Sequence, residues 1–183
     1  MIISIIAAIQ RRDRGLGYGG KLLCRLPSDM ERFARLTTRL TDSFGVPTDR
    51  DEGFEPAVVM GRRTHEEIGR PLPRRFNVVL SASGRLAPSA DLAVVPSWAD
   101  ALRVAQLRGC SRLWVIGGTS LYGAAMAFAD ELHLTTVEGD LPADIFFPAW
   151  QRHFAGQPTI VESGVDPETG LRWIYGKYSR TER

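Results

Sequence analysis

Asp29 is the acid whose surroundings most suggest chemistry. It lies in the segment Leu26-Pro-Ser-Asp29-Met-x-x-Phe33. The plain reading is an acid at a helix start, where the helix dipole favours negative charge. Yet Asp29 and Phe33 are four residues apart, so the carboxylate borders the apolar stripe of that helix rather than open water. A carboxylate on the buried edge of a cleft has a raised pKa and can bind a protonatable ring. Two strand-to-helix junctions point to a second kind of ligand. Met60-Gly-Arg-Arg-Thr64 combines free helix-start N–H groups with Arg62 and Arg63, which together make an anion site. Val115-Ile-Gly-Gly-Thr-Ser-Leu-Tyr122 repeats the pattern, with glycines that permit close backbone approach. Either junction alone reads equally well as solvated arginines or a tight turn. Two of them at the carboxyl ends of parallel strands suggest a phosphate-bearing ligand in a switch-point crevice. Arg70-Pro-Leu-Pro-Arg-Arg75 is a stiff basic loop in which Arg75 is either a carboxylate clamp or part of a solvated linker.

Other features carry less. Gly15-Leu-Gly17-Tyr-Gly-Gly20 matches G-x-G-x-x-G in form, but residues 21–27 separate it from the next helix, so it reads as a flexible loop. His65, His133 and His153 have no metal-ligand spacing, and no metal is expected. Cys24 and Cys110 read as packing residues in a reducing, cytoplasmic setting.

The elements that must hold these residues follow from periodicity. The 183 residues fit a single domain spanning 1–183, with a polar insertion at about 41–56. Hydrophobic residues make up 44% and charged residues 24%, which excludes disordered, collagen-like and coiled-coil chains. A net charge of +2 gives no ground for a nucleic-acid partner. Residues 1–9 are apolar but stop at Gln10 without a basic lead, so neither a secretion leader nor a membrane span is expected there. Residues 2–9 read as a buried strand and 28–40 as a helix, with Ser28 and Glu31 as a capping box. Met30, Phe33, Leu36 and Leu40 form its apolar stripe. Strands are expected at 57–60, 77–80, 91–95, 112–116 and 131–137. Helices are expected at 62–68, at 98–107 behind a Ser97 cap, and at 119–128. Residues 160–163 and 171–178 read as a closing hairpin. This alternation gives an α/β fold with a mixed, mainly parallel twisted sheet flanked by helices and a C-terminal antiparallel hairpin.

The order of these motifs resembles the dihydrofolate reductase family. The likeness also includes Ile68-Gly-Arg-Pro-Leu-Pro73, Leu134-Thr135 and Phe146-Phe-Pro148, and runs over roughly residues 1–178. The resemblance implies NADPH-dependent reduction of 7,8-dihydrofolate, with hydride to C6 and a proton to N5, in tetrahydrofolate synthesis and one-carbon metabolism. It implies catalytic roles for Asp29, Leu22 and Thr135. Substrate contacts would come from Ile6, Ala8, Asp29, Met30, Phe33, Ile68, Leu72, Arg75, Ile116 and Thr135, with Arg75 on the glutamate α-carboxylate. Cofactor contacts would come from Ala8, Leu16, Gly17, Leu22, Gly61, Arg62, Arg63, Thr64, Leu80, Ser81 and Ala82. They would continue through Ile116, Gly117, Gly118, Thr119, Ser120, Leu121 and Tyr122, with the Gly117–Gly118 bond a candidate for the cis form. It further implies antifolate-type ligands and a monomeric protein.

The sequence departs from the family pattern at several points. Cys24 stands where Trp is usual, His65 where an aromatic is usual, Leu23 where Pro is common, and Ala82 where Ser is usual. With Ala82 there, the 2′-phosphate grip rests more on Arg62 and Arg63. Two readings compete: a reductase of another pteridine or a pyrimidine on the same fold, and a non-catalytic nucleotide-binding relative. The pairing of Asp29 with Arg75 favours folate.

Overall fold

Strand β1 (Ile2–Gln10) shows why the sheet is buried on both faces. Ile5, Ala7 and Ile9 join one apolar core, while Ile6, between them, joins another. The period-two alternation of a strand sends neighbours to opposite faces. β4 (Ala57–Gly61), β5 (Phe76–Leu80) and β7 (Arg112–Gly117) repeat the division. In these strands Val59, Val78 and Val115 lie on the first face, and Val58, Val79 and Trp114 on the second. The computed structural model describes residues 1–40, 48, 55–82 and 86–180. Most of the expected 41–56 insertion falls outside the described residues.

Among the described residues the main sheet has the order β10-β11-β8-β1-β7-β4-β5-β6. Here β6 is Leu92–Val95, β8 Glu131–Val137, β10 Thr159–Val165 and β11 Arg172–Ser179. The pairs from β8 through β6 are parallel, and β11 and β10 close the sheet antiparallel. The α/β reading and the closing hairpin therefore hold. Helices α3 (Trp98–Leu107) and α4 (Thr119–Met126) cover the first face through Ala101, Ala105, Leu121 and Ala125. Helix α1 (Pro27–Thr38) and the end of α2 (Arg62–Ile68) cover the second through Phe33, Leu36 and Ile68. Ser97 caps α3 by accepting from the Asp100 N–H.

Three expectations change. The capping box does not form: Pro27 is already the first helical residue, Leu26 is the N-cap, and Ser28 Oγ is buried without a hydrogen-bond partner. Proline suits that first position because its missing N–H would have no acceptor there anyway. The buried residues of α1 are Arg32 and Thr37, whereas Met30 is 45% exposed. The glycine-rich loop is an ordered hairpin, β2 (Gly15–Tyr18) with β3 (Lys21–Leu22), and β2 also pairs with β9 (Ile145–Phe146). At Gly17 a Cβ would fall 2.7 Å from the Lys21 carbonyl, so the close hairpin contact requires glycine.

Candidate active site

The two glycine junctions lie side by side. β4 and β7 are hydrogen-bonded neighbours, and Met60 pairs with Gly117 just past a register shift. Gly61 leads directly into α2 and Gly118 into α4, and neither helix has a side-chain cap at its start. Their first-turn N–H groups therefore keep donors for another partner. The Gly117–Gly118 bond is cis, as expected, and Gly117 has φ +139°. A Cβ there would lie 3.2 Å from Thr64 Oγ1, a tight contact between the two junctions, and the positive φ itself disfavours a side chain.

Both junctions open onto a cavity of about 880 Å³. It is lined by Leu16, Gly17, Leu22, Gly61, Arg62, Arg63, Thr64, Leu80, Ile116, Gly117, Gly118, Thr119, Ser120, Leu121 and Tyr122. Of the sequence-derived cofactor positions, Ser81 and Ala82 line a separate, smaller hollow instead, and Ala8 lines neither. Arg62 is ion-paired with Glu66, one turn on, while Arg63 is exposed. The Leu22 N–H donates to Glu67 Oε1 at 3.1 Å, tying the hairpin to α2.

The ring-binding candidates form a second group that shares a wall with this cavity. Ile6, Phe33, Ile68, Leu72 and Ile116 belong to one apolar cluster, and Ile116 also lines the cavity. Met30 lies outside that cluster and is exposed. Ala8 pairs in register with Thr135 on β8. Thr135 Oγ1 donates to Asp29 Oδ1 at 2.5 Å. Asp29 is the carboxylate at this edge, and its carboxyl sits above the usual range. Burial is the main cause, partly offset by the Thr135 hydroxyl and by Arg32. Tyr122 is buried, and its hydroxyl donates to the Ile6 carbonyl at 3.0 Å.

Arg75 is buried rather than part of a solvated linker, with a relative exposure of 5%. Its Nη1 donates to Thr37 Oγ1 at 2.6 Å and its Nε to the Pro73 carbonyl at 3.0 Å, with the guanidinium 5.8 Å from the Phe33 ring centre. Burial, with Arg74 beside it, lowers its pKa to about 10, so it stays charged at neutral pH. The loop is shaped by Asn77, fully buried on β5. Its amide donates to the carbonyls of Leu72 and Arg75, and its Oδ1 accepts from the Leu72 N–H. The signal for it was present in the sequence, as one amide inside the apolar run Phe76-Asn-Val-Val-Leu80.

A nucleotide-sized crevice with uncapped helix starts thus shares Ile116 with an apolar cluster, and α1, which gives Phe33 to that cluster, also carries Asp29, with the buried Arg75 beside Phe33. The family profile described as dihydrofolate reductase matches residues 49–168, well over half the chain. The chain belongs to the dihydrofolate reductase family. It is 38% identical to the dihydrofolate reductase type 3 of Salmonella typhimurium over 148 residues, covering 81% of this chain and 79% of that one. It is 32% identical to the Drosophila melanogaster dihydrofolate reductase over 171 residues, 88% of each. It is 37% identical to the bifunctional dihydrofolate reductase-thymidylate synthase of Daucus carota over 194 aligned positions, covering 96% of this chain but 33% of that protein.

Two residues read as departures from the family pattern, Cys24 and His65, both lie in packed surroundings. Cys24 packs with Leu26, Val137, Trp173 and Tyr175, and burial with the nearby Asp29 charge pushes its thiol up to about 11. It is therefore a neutral packing group. His65 is buried in α2 and its Nε2 has no partner. The residue that reading the sequence missed is Arg32. It is 2% exposed, and its Nη1 donates to Asp29 Oδ1 at 3.1 Å. A second charged group therefore meets the Asp29 carboxylate.

Proposed function

We propose that this chain catalyses the NADPH-dependent reduction of 7,8-dihydrofolate to 5,6,7,8-tetrahydrofolate. The observation that carries the reading is that Ile116 is shared by a cavity opening on uncapped helix starts and by an apolar cluster packed on α1, the helix that carries Asp29. The larger cavity fits a dinucleotide. The glycines leave its floor clear, Thr119 and Ser120 with the first-turn N–H groups of α4 would hold the diphosphate, and Arg62 and Arg63 would hold the 2′-phosphate. NADPH, when bound, supplies the hydride.

The chain's own residues bind, orient and exclude water. Asp29 accepts two hydrogen bonds from the 2-amino and N3 edge of the pterin, and Thr135 fixes the carboxylate by donating to Oδ1. Ile6, Phe33 and Ile68 enclose the ring, and Leu72 packs on the p-aminobenzoyl group. Arg75, already oriented by Thr37 and Pro73, pairs with the α-carboxylate of the glutamate tail. A substrate without that carboxylate would leave this buried cation unused, which favours folate over smaller pteridines. Leu16 and Leu22 of the hairpin shield the reacting faces. Asp29 binds the edge remote from N5, so the proton for N5 comes from water admitted beside the hairpin.

We further propose that the protein works as a monomer, as the resemblance to dihydrofolate reductases implies. Antifolate-type rings would take the Asp29 slot. Both cysteines are free thiols, which suits a cytoplasmic location, and no helix among the described residues is long and apolar enough to cross a membrane. The test is loss of the reduced cofactor's near-ultraviolet absorbance in the presence of both NADPH and dihydrofolate. Consumption that needs both compounds and yields tetrahydrofolate is the expected result. No turnover by folded protein would leave the nucleotide-binding reading.

A further inference from the structure

Arg32 is held by two carboxylates and two aromatic rings. Its Nε and Nη2 reach Glu162 Oε2 on β10 at 2.9 and 2.8 Å. Its Nη1 reaches Asp29 Oδ1 at 3.1 Å and Thr135 Oγ1 at 3.4 Å. Its guanidinium carbon lies 4.5 Å from the Trp173 ring centre and 4.6 Å from that of Tyr175, both on β11. A planar guanidinium stacked on aromatic rings while forking to two carboxylates is a fixed cation, and a lysine could not replace it. Both recorded hydrogen bonds to Asp29 arrive at Oδ1, and among the described residues none reaches Oδ2.

Resting on the function proposed above, the consequence concerns which rings Asp29 prefers. A dihydropterin presents a neutral N–H and amino edge, which a carboxylate binds through hydrogen bonds alone. A 2,4-diaminopyrimidine is amidine-like and binds as a protonated cation, which depends on the net charge it meets. Arg32 lies within hydrogen-bond distance of Oδ1 on the carboxylate that would receive it, and Glu162 shares Arg32's charge. We propose that Arg32 is a specificity-determining positioning residue, whose contact with Asp29 Oδ1 weakens capture of a cationic diaminopyrimidine relative to the neutral dihydropterin.

The other titratable groups here are few. Glu162 faces Arg32 from β10 and Tyr175 from β11, Arg35 lies one turn along α1, and Cys24 and Tyr122 feel the Asp29 charge. Burial lifts Cys24 to about 11, Tyr175 to about 12 and Tyr122 higher still, so all three stay neutral through the working range. Asp29, Arg32, Arg35 and Glu162 therefore set the charge nearest the contact, with Glu131 reaching Tyr175 and Asp166 reaching Cys24 from farther off.

The test measures dissociation constants for a 2,4-diamino-5-benzylpyrimidine and for 7,8-dihydrofolate in the parent, Arg32→Met and Glu162→Gln proteins. Arg32→Met should shift the ratio about fivefold or more toward the diaminopyrimidine, the scale of one lost charge-assisted contact. It should also move the acid limb of the kcat/KM profile to higher pH, which a purely structural role would not do. Glu162→Gln removes the competing carboxylate and should shift the ratio about twofold the other way, a small effect because Glu162 is half exposed. A ratio unchanged in a folded Arg32→Met protein overturns the proposal. If that variant does not fold, Glu162→Gln decides alone: a shift away from the diaminopyrimidine supports the proposal, and no shift or the reverse overturns it. A parent protein that binds both rings but does not reduce dihydrofolate refutes the proposed function and leaves this ratio test intact.

Discussion

Replacing Arg75 with leucine separates its two roles. In the folded protein the guanidinium makes hydrogen bonds to Thr37 Oγ1 and to the Pro73 carbonyl. Losing these two bonds costs about 1–3 kcal/mol of stability, the Thr37 hydroxyl keeping its bond to the Phe33 carbonyl. The proposed pairing with the substrate carboxylate uses the remaining donors of the fork. Two parallel charge-assisted bonds at a partly open site are worth about 1.5–3 kcal/mol, or roughly 10- to 150-fold in affinity. A remote clamp of this kind contributes mainly uniform binding, so KM for dihydrofolate should rise by that factor while kcat falls much less. Steady-state kinetics with a dihydropterin lacking the p-aminobenzoylglutamate tail provide the internal control. That short substrate should show the same KM in the parent and variant proteins. Thr37→Val should raise KM for dihydrofolate only a few fold, since Pro73 still orients the guanidinium. A normal dihydrofolate KM in Arg75→Leu, or an equal loss with the short substrate, would refute the clamp and leave Arg75 a loop-packing residue.

NADPH should be preferred over NADH, and Arg62→Ala and Arg63→Ala should each reduce that preference in kcat/KM. Arg63→Ala should give the larger drop, about tenfold, because Glu66 already competes for Arg62; equal use of both cofactors by the parent protein contradicts this. Glu131 should be a stability residue outside the site. Burial alone would raise its carboxyl, but His133, Lys177 and Arg112 hold it well below the ordinary carboxylate range. Its contribution is therefore complete above the unfolded value, near ~4.3, and is lost as pH falls toward the folded one. Glu131→Gln should cost about 2 kcal/mol at neutral pH, with the gap narrowing in acid; a denaturation gap that does not depend on pH would contradict it.

The sequence displayed the sheet well, because β-branched runs bounded by glycine and proline leave few alternatives for strands such as β1, β4 and β7. The two glycine junctions were visible for the same reason, since each directly follows such a run. The side chains gathered by topology were not visible. Arg32 lies three residues after Asp29, and its partners Glu162, Trp173 and Tyr175 come from strands more than a hundred residues away. Nothing in local spacing shows that a helical arginine will be buried between two rings. The capping box failed because Pro27 supplied a stronger helix start one residue earlier. The glycine hairpin was read as loose because its pairing partner, β9, is supplied by residues 145 and 146. Arg75 remained ambiguous until Thr37 and Asn77 supplied the bonds that bury it.

Asp29→Asn is the most direct test of the account. Asparagine keeps the shape and one acceptor but removes the charge, and Thr135 and Glu162 remain to hold their neighbours. Loss of one preorganised electrostatic group costs about 2–4 kcal/mol, so kcat/KM for dihydrofolate at neutral pH should fall about 30- to 1,000-fold. The loss should shrink in acid, where the substrate arrives already protonated. NADPH affinity, read by fluorescence titration, should stay within about twofold, because its phosphate groups would bind at the far junction under the proposed function. A folded Asp29→Asn protein with near-parental turnover at neutral pH would contradict the account and return Asp29 to the role of a helix-start acid.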